Sequence, residues 1–551
     1  MPARPGKTAI FEQFAADGIS YMFGNPGTVE QGFLDEGGRF DLSYVLALHE
    51  GAAVGMADGY ARATRRPGLV QLHSGVGLGN GIGMLYQAKR GGSPLVVLVG
   101  EAGVRYDAMD GQMAADLVAM AEPVTKYATR VVDPDSTLRV LRRAVKIAMT
   151  PPRGPVVVVL PADVLDRMTS EPAVPTSLPD IRSRPAPEAV ERAARVLADA
   201  ARPLIVMGDG VAVSGAQQEL TRVAERLGAK VWGANSSEVN FDTTHPLYGG
   251  ELGHMFGASS ARVVGDADAV LIVGTYVFPE VFPSLTSPFR DEARIVHIDL
   301  DAYEIAKNFP VDIGLVADPR LTLAALADAL GQHPGGPPAS PLTGPPTGQA
   351  TAQAREPARP APAPAPAGAE PLLDAFVRTL AETAPPGLAV FDEALTAGAP
   401  LARHLPPRVA GTFFQTRGGS LGVGIPGALG VKLARPELPV VGFTGDGGSM
   451  YTFQALWTAA REHIDAKFVI CNNGRYRLLD LNIEQYWAEL GIRPHDAPDA
   501  FDLTRPAIAF ADLAAALGVP ARRVDRHDHI APALAEMWAH EGPYLIDLVI
   551  D

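Results

Sequence analysis

Apolar and polar positions alternate between two regimes along most of the 551 residues. Short runs dense in β-branched and aliphatic residues include LSYVLAL (Leu42–Leu48), VVVVLPADV (Val156–Val164), PLIVMG (Pro203–Gly208) and KFVICN (Lys467–Asn472). Between them lie stretches with helical spacing of apolar residues, such as GAAVGMADGYARA (Gly51–Ala63), AQQELTRVAERLG (Ala216–Gly228) and the segment from Ala189 to Ala201. This alternation predicts α/β architecture, with parallel sheets joined by crossover helices. No repeat with a period of 20 to 50 residues interrupts it.

Two stretches break the pattern. From His333 to Pro371 the chain collapses into Pro, Ala and Gly, ending in APAPAPAGAE, with no aromatic residue. Such a composition buries too little apolar surface to offset its ordering entropy, and its prolines favour extended polyproline geometry. A weaker break, VPTSLPDIRSRPAPE, runs from Val174 to Glu188. Three doubly wound domains are therefore expected, at 1–175, 188–332 and 371–551, with 333–370 as a linker able to cross a whole domain.

Composition narrows the function classes. Apolar residues make up 47% and charged residues 20%, ordinary for a globular protein, and the length calls for several cores. A formal net charge of -15, with no run of five or more Lys and Arg, disfavours nucleic-acid binding. The single cysteine, Cys471, excludes an intrachain disulfide and any Cys-based metal cluster, and reads as a small core residue. The first 18 residues hold no apolar block like that of a signal peptide, and nothing approaches a membrane span. The expectation is a soluble, cytoplasmic protein.

Candidate chemistry sits where strand-like runs end. PVVGFT (Pro439–Thr444) leads into Gly445, Asp446, Gly447, Gly448 and Ser449, then a helical stretch containing Ala455, Leu456 and Trp457. The next strand-like run, Phe468–Cys471, ends at Asn472 and Asn473. Asp446 and Asn473 therefore follow consecutive strands at the carboxyl edge of one sheet, where open α/β sheets bind ligands. A carboxylate and an amide carbonyl are hard oxygen ligands suited to magnesium, and glycine N–H groups at a helix start suit a diphosphate. GDG alone is weak. Gly208, Asp209 and Gly210 form a second copy with no Asn pair after it, and read as a plain turn.

In the first domain a strand-like run, Tyr44–Leu48, ends at His49 and Glu50 and is followed by Gly51, Ala52, Ala53 and Gly55. Small residues there let another surface approach. Glu50 by itself is equally a charge that complements a helix N-terminus. LVQLH ends at His73, beside glycines from Gly75 to Gly83 read as a loop; their alternation fits no G-x-G-x-x-G register, so no dinucleotide site is expected.

GDG, a gap of 24 residues (448–471) and NN together resemble the magnesium and diphosphate motif of thiamine diphosphate enzymes. FGNPGT (Phe23–Thr28), LALHEGAAVGMADGYARAT (Leu46–Thr64), LHSGVGLGNGIG (Leu72–Gly83), GGSLGVGIPGALG (Gly418–Gly430) and ALWTAA (Ala455–Ala460) are similar to benzoylformate decarboxylase and its 2-oxo acid decarboxylase and acetolactate synthase-like relatives. The likeness spans nearly the whole chain, is weakest in the middle domain and is absent from the linker.

The resemblance implies three domains: pyrimidine-binding, middle and diphosphate-binding. It implies metal ligation by Asp446, the Asn473 side chain and the Arg475 backbone carbonyl. Glu50 would activate the aminopyrimidine, Leu421 would hold the cofactor bent, the Gly419 carbonyl would bind its amino group, and Thr396, Gly447, Gly448, Ser449 and Tyr476 would complete its site. The implied reaction is decarboxylation of a 2-oxo acid through a thiazolium ylide and an enamine, with His73 as acid or base and Thr28 replacing a serine that meets the substrate carboxylate. Asn25, Leu479 and Leu481 are further pocket candidates. Subunits would pair as a homodimer or homotetramer, with active sites at their interfaces.

One departure stands out. Where the decarboxylase supplies a second catalytic histidine, this chain reads GTYVFPEVFP (Gly274–Pro283), with Val281 near the expected place; His254 reads as a surface or loop histidine. That leaves room for carboligation, in which the acyl group passes to a second carbonyl compound. A cofactor-binding protein without chemistry is the third reading, opposed by intact Glu50, Asp446 and Asn473. A flavin in the middle domain is not resolved by sequence.

Overall fold

A computed structural model describes residues 2–253, 255–332 and 370–550. The expected linker, apart from Glu370, and His254 lie outside the described residues.

Three six-stranded sheets, each parallel throughout, form three α/β domains. The first holds Tyr21–Gly24, Ser43–Leu46, Gly68–His73, Leu95–Glu101, Tyr127–Arg130 and Val156–Pro161. Numbered along the chain, its strands lie in the order 2-1-3-4-6-5. The third sheet repeats that order with Ala389–Glu393, Phe413–Gln415, Val440–Gly445, Ala466–Asn472, Ala521–Val524 and Tyr544–Val549. The middle sheet, Pro203–Met207, Lys230–Gly233, Tyr248–Glu251, Ala269–Val273, Arg294–Asp299 and Ile313–Val316, runs 3-2-1-4-5-6. Arg4–Pro5 and Met168–Thr169 add a short antiparallel ribbon to the first domain.

Central strands are continuous apolar runs because helices cover both faces of each sheet. Val156–Pro161 and Ala269–Val273 are buried at every position. The covering helices are amphipathic: Pro187–Ala198 buries Val190, Ala193, Ala194 and Leu197, at i, i+3, i+4 and i+7. Its proline stands at the first helical position, where no N–H is needed. Gln217–Leu227 ends at Gly228 in the left-handed conformation, the usual stop.

The surface approaching the small residues after Glu50 belongs to the same chain. Helix Glu50–Thr64 of the first domain packs on helix Gly424–Ala434 of the third. A Cβ on Gly59 would stand 2.2 Å from the Gly427 carbonyl oxygen, and one on Gly430 2.0 Å from the Met56 carbonyl oxygen. Glycine at these points lets the two backbones touch. Ala52, Ala53 and Met56 thus share one apolar core with Ile425, Ala428 and Leu429, whereas the middle domain keeps a core of its own. Burial of each Met, Ile or Leu among these contributes about 1.5–3 kcal/mol, and each alanine methyl about 0.8 kcal/mol. Cys471 lies in the apolar core of the third domain.

Candidate active site

In the first and third sheets the order in which successive strands are added reverses between the first and third strands, which opens a crevice at their carboxyl ends. Glu50 and His73 lie at the first of these crevices, Asp446 and Asn473 at the second.

In the first domain the crevice lies between Gly24 and His73. Glu50 opens its helix directly after His49, an extended residue whose Nδ1 accepts the Gly51 N–H at 3.0 Å. The Glu50 side chain is 5% exposed and accepts from Asn80 Nδ2 at 3.0 Å and from Asn25 Nδ2 at 3.4 Å. It has no ion-pair partner among the described residues. Neutral amide donors and the positive helix end hold a buried charge in place. Asn25 therefore supports Glu50.

His73 meets a partner that sequence reasoning missed. Its Nδ1 lies 2.9 Å from one carboxylate oxygen of Glu30 and 3.2 Å from the other. Glu30, 4% exposed, also accepts the Gly27 N–H at 3.1 Å. Burial pushes the Glu30 carboxyl up, against the lowering effect of His73 and of the Gly27 N–H. A Cβ on Gly27 would stand 2.1 Å from the His73 ring, so only glycine lets the loop lie on the imidazole. Thr28, next along, is exposed. The signal was a buried-type acid two residues beyond FGNPGT; nothing local ties it to a histidine 43 residues away.

The glycine-rich stretch after His73 departs from expectation. It is a helix, Ser74–Gly91, not a loop. Each glycine costs up to about 1 kcal/mol of helix propensity, but close packing overrides it. A Cβ on Gly77 would stand 3.1 Å from Glu50 Oε1, so the helix passes against the acid.

In the third domain the crevice lies between Glu393 and Gly445. Asp446, 4% exposed, begins a short helix, Asp446–Ser449. Its carboxylate accepts the N–H groups of Gly447 at 2.8 Å, Asn473 at 3.1 Å and Gly474 at 2.6 Å. Burial pushes its pKa up against these bonds. The Ser449 hydroxyl turns back to the Asp446 carbonyl at 2.8 Å, and Gly447, Gly448 and Ser449 are buried. Asn473 Oδ1 accepts the Arg475 N–H at 3.0 Å, while the Arg475 guanidinium pairs with Asp480. Asp446 and Asn473 thus converge, as the spacing predicts. The Tyr476 ring covers Gly447, whose Cβ would stand 2.3 Å from Tyr476 Cε1.

These atoms fit a hard divalent cation: a buried carboxylate, without a cationic partner among the described residues, beside an amide oxygen. Among the described residues no group of three or more His, Cys, Asp or Glu side chains is placed to hold a metal ion.

Thr396, Gly419, Leu421 and Leu481 line a wide cleft between the third and middle domains, which Glu50, His73 and Asp446 do not line. Helix Arg477–Leu490 turns Leu478 and Leu481 into it; Leu479 is exposed and does not line it. Across the cleft stand Phe278, Pro279 and Val281, the last 54% exposed.

Comparison with known proteins supplies the family. The thiamine pyrophosphate enzyme N-terminal binding domain matches residues 4–120, the central domain 190–326 and the C-terminal binding domain 397–548. Benzoylformate decarboxylase of Pseudomonas aeruginosa is 31% identical over 98% of this chain and 98% of its own. The chain belongs to the thiamine pyrophosphate enzyme family. Acetolactate synthase of Arthrospira platensis is 28% identical over 98% of this chain and 93% of its own. The solved thiamine diphosphate-dependent 4-hydroxybenzoylformate decarboxylase of Rhodococcus jostii RHA1 superimposes with a TM-score of 0.83 at 27% identity, covering 100% of this chain and 99% of that one. As a thiamine pyrophosphate enzyme related to both groups, this chain is a decarboxylase or a carboligase with thiamine diphosphate as cofactor. No helix among the described residues is long and apolar enough to cross a membrane.

Proposed function

We propose that this thiamine pyrophosphate enzyme uses magnesium as its metal and decarboxylates a 2-oxo acid to an aldehyde. One observation carries the reading: His73 holds its Nδ1 on buried Glu30, and its Nε2 has no hydrogen-bond partner among the described residues. With Glu30 ionised, its carboxylate would accept from Nδ1, which would leave Nε2 to face the substrate.

Asp446, the Asn473 side chain and the Arg475 carbonyl would hold the magnesium. Backbone N–H groups of Gly447, Gly448 and Ser449, with Thr396, would receive the diphosphate, and Tyr476 would close over it. Gly419 and Leu421 would hold the rings. Bound thiamine diphosphate supplies a nucleophilic carbon and an electron sink. Glu50 would exchange a proton with the aminopyrimidine nitrogen, its carboxyl oxygens oriented by Asn80 and Asn25. The Thr28 hydroxyl would meet the substrate carboxylate, and His73 Nε2 would return the proton to the product carbon.

Glu50 and Asp446 lie in crevices of different domains, at the carboxyl ends of separate sheets. A second copy of the chain would bring a first-domain crevice onto a third-domain crevice. The expected assembly is a dimer or dimer of dimers, and a fully active monomer in light scattering would refute it.

A second reading, carboligation, is favoured by the cleft wall from Phe278 to Val281, which carries no histidine where a second proton donor would stand; its one acid, Glu280, is held by the Ser260 hydroxyl. Incubation with pyruvate, branched and aromatic 2-oxo acids separates the two. Aldehyde supports decarboxylation; acyloin or acetolactate with no aldehyde in any mixture refutes it.

A further inference from the structure

The second GDG, expected to be a plain turn, carries a buried carboxylate with more partners than a turn needs. Asp209 follows the first middle-domain strand, and its side chain is almost fully enclosed. It accepts the Ser237 N–H at 2.9 Å, the Glu238 N–H at 3.2 Å, Asn240 Nδ2 at 2.8 Å and the Ser237 hydroxyl. Its last partner comes from another domain: Arg417 Nη1, at 2.9 Å. Burial raises the Asp209 pKa, but Arg417, Ser237 and Asn240 outweigh it and hold the carboxyl below its ordinary value.

Arg417 begins the segment Arg417–Leu421, which contains Gly419 and Leu421. The same guanidinium donates to the Gly91 carbonyl at 3.1 Å, at the end of helix Ser74–Gly91 in the first domain. The strand that feeds this segment, Phe413–Gln415, is gripped from the same side. Gln415 N–H donates to the Ser237 carbonyl at 2.7 Å, and Glu238 forms an isolated antiparallel bridge with Phe414. Ser237 and Glu238 are the two residues whose N–H groups Asp209 fixes. One carboxylate therefore holds the segment directly through Arg417 and its preceding strand indirectly through Ser237 and Glu238. Arg62, from the first domain, donates to the Gln415 carbonyl at 2.9 Å and the Ser237 carbonyl at 3.0 Å and closes the junction.

We infer that Asp209 is a positioning residue: the middle domain, through the Asp209–Arg417 pair, sets the backbone that presents Gly419 and Leu421 to the cofactor. The inference rests on the reading that this segment holds thiamine diphosphate. It gives the middle domain a part in cofactor binding without any contact to the cofactor. A buried pair of this kind is costly to break from one side, because the remaining charge is stranded.

The test uses the full-length protein with Asp209→Asn, which keeps the shape and an acceptor oxygen, and Arg417→Met, which removes the pair from the other domain. Asp328→Asn is the control, on the middle-domain helix Pro319–Gln332 and paired with Arg222. Hydrogen exchange without cofactor should show faster exchange at 413–422 in both variants and not in the control. The apparent Kd for thiamine diphosphate with magnesium should rise about 5- to 150-fold, the usual range of coupling between sites. The double variant should be no worse than the weaker single one, since both remove one interaction. Exchange at 413–422 within twofold of wild type in both variants overturns the inference, as does an unchanged Kd. Wild-type protein that binds no thiamine diphosphate overturns the functional reading instead, and the exchange result still judges the anchor.

Discussion

Replacing Glu30 with Gln isolates what the buried acid does for His73. Gln is nearly isosteric, so the enclosure of Glu30 stays filled and the Gly27 N–H keeps an acceptor. What changes is the bond to His73 Nδ1, at 2.9 Å in a site where Glu30 is 4% exposed. Bonds to charged groups contribute about 1.5–3 kcal/mol, against about 1 kcal/mol for neutral ones. A glutamine amide can also turn its NH2 towards Nδ1, which would move the ring proton to Nε2 and reverse what Nε2 offers the substrate. Exchanging the charged bond for a neutral one costs about 0.5–2 kcal/mol in the proton-transfer step, which corresponds to about 2- to 30-fold in kcat. The assay is aldehyde release from an accepted 2-oxo acid, run beside the apparent Kd for thiamine diphosphate and thermal unfolding. The expected pattern is a fall in kcat with cofactor affinity unchanged and unfolding little altered. A kcat within twofold of wild type refutes the role given to the Glu30–His73 pair. A parallel loss of cofactor affinity refutes the view that it acts on substrate alone.

Glu50→Gln should lower kcat by at least about a thousandfold, the upper range for an acid–base group, while the Kd for thiamine diphosphate stays within about tenfold in calorimetry; near-normal turnover contradicts the activating role. Asp446→Ala should weaken magnesium-dependent cofactor binding by at least about 100-fold, and a chelator should reproduce this in wild type; binding indifferent to both removes Asp446 from the metal site. Burial pushes the Glu393 carboxyl up to about 7 from its ordinary 4.5, despite the N–H groups of Gly422 and Gly424. Between those values the folded chain holds a proton that the unfolded chain has released, so this contribution to stability is full below about pH 4.5 and is lost as pH rises through 7. The displacement corresponds to about 3 kcal/mol. Urea unfolding from pH 4 to 8 should therefore give a stability difference between wild type and Glu393→Gln that changes by about that amount, and a difference independent of pH would show that Glu393 is not the group responsible.

The sequence by itself determined what depends on neighbouring residues. Strand runs such as Val156–Pro161 and helix faces such as Val190, Ala193, Ala194 and Leu197 are periodic, and periodicity is a local record of burial. Asp446 and Asn473 were legible for a related reason: one strand-helix-strand unit has a set length, so their spacing already implied that they meet at one sheet edge. Other features were decided only by the tertiary structure. Glycines from Gly75 to Gly83 read as a loop because propensity is local, yet packing against Glu50 and the first domain's core makes them a helix. Glu30 and His73 lie 43 residues apart, and their pairing comes from neighbouring strands that end at one crevice. Asp209 and Arg417 lie in different domains, so no window of sequence contains both. Leu478 rather than Leu479 lines the cleft, because the phase of that helix is fixed by its tertiary packing. Hydrophobic order is written along the chain, whereas a buried polar pair forms only when packing removes water from both partners and leaves each with the other.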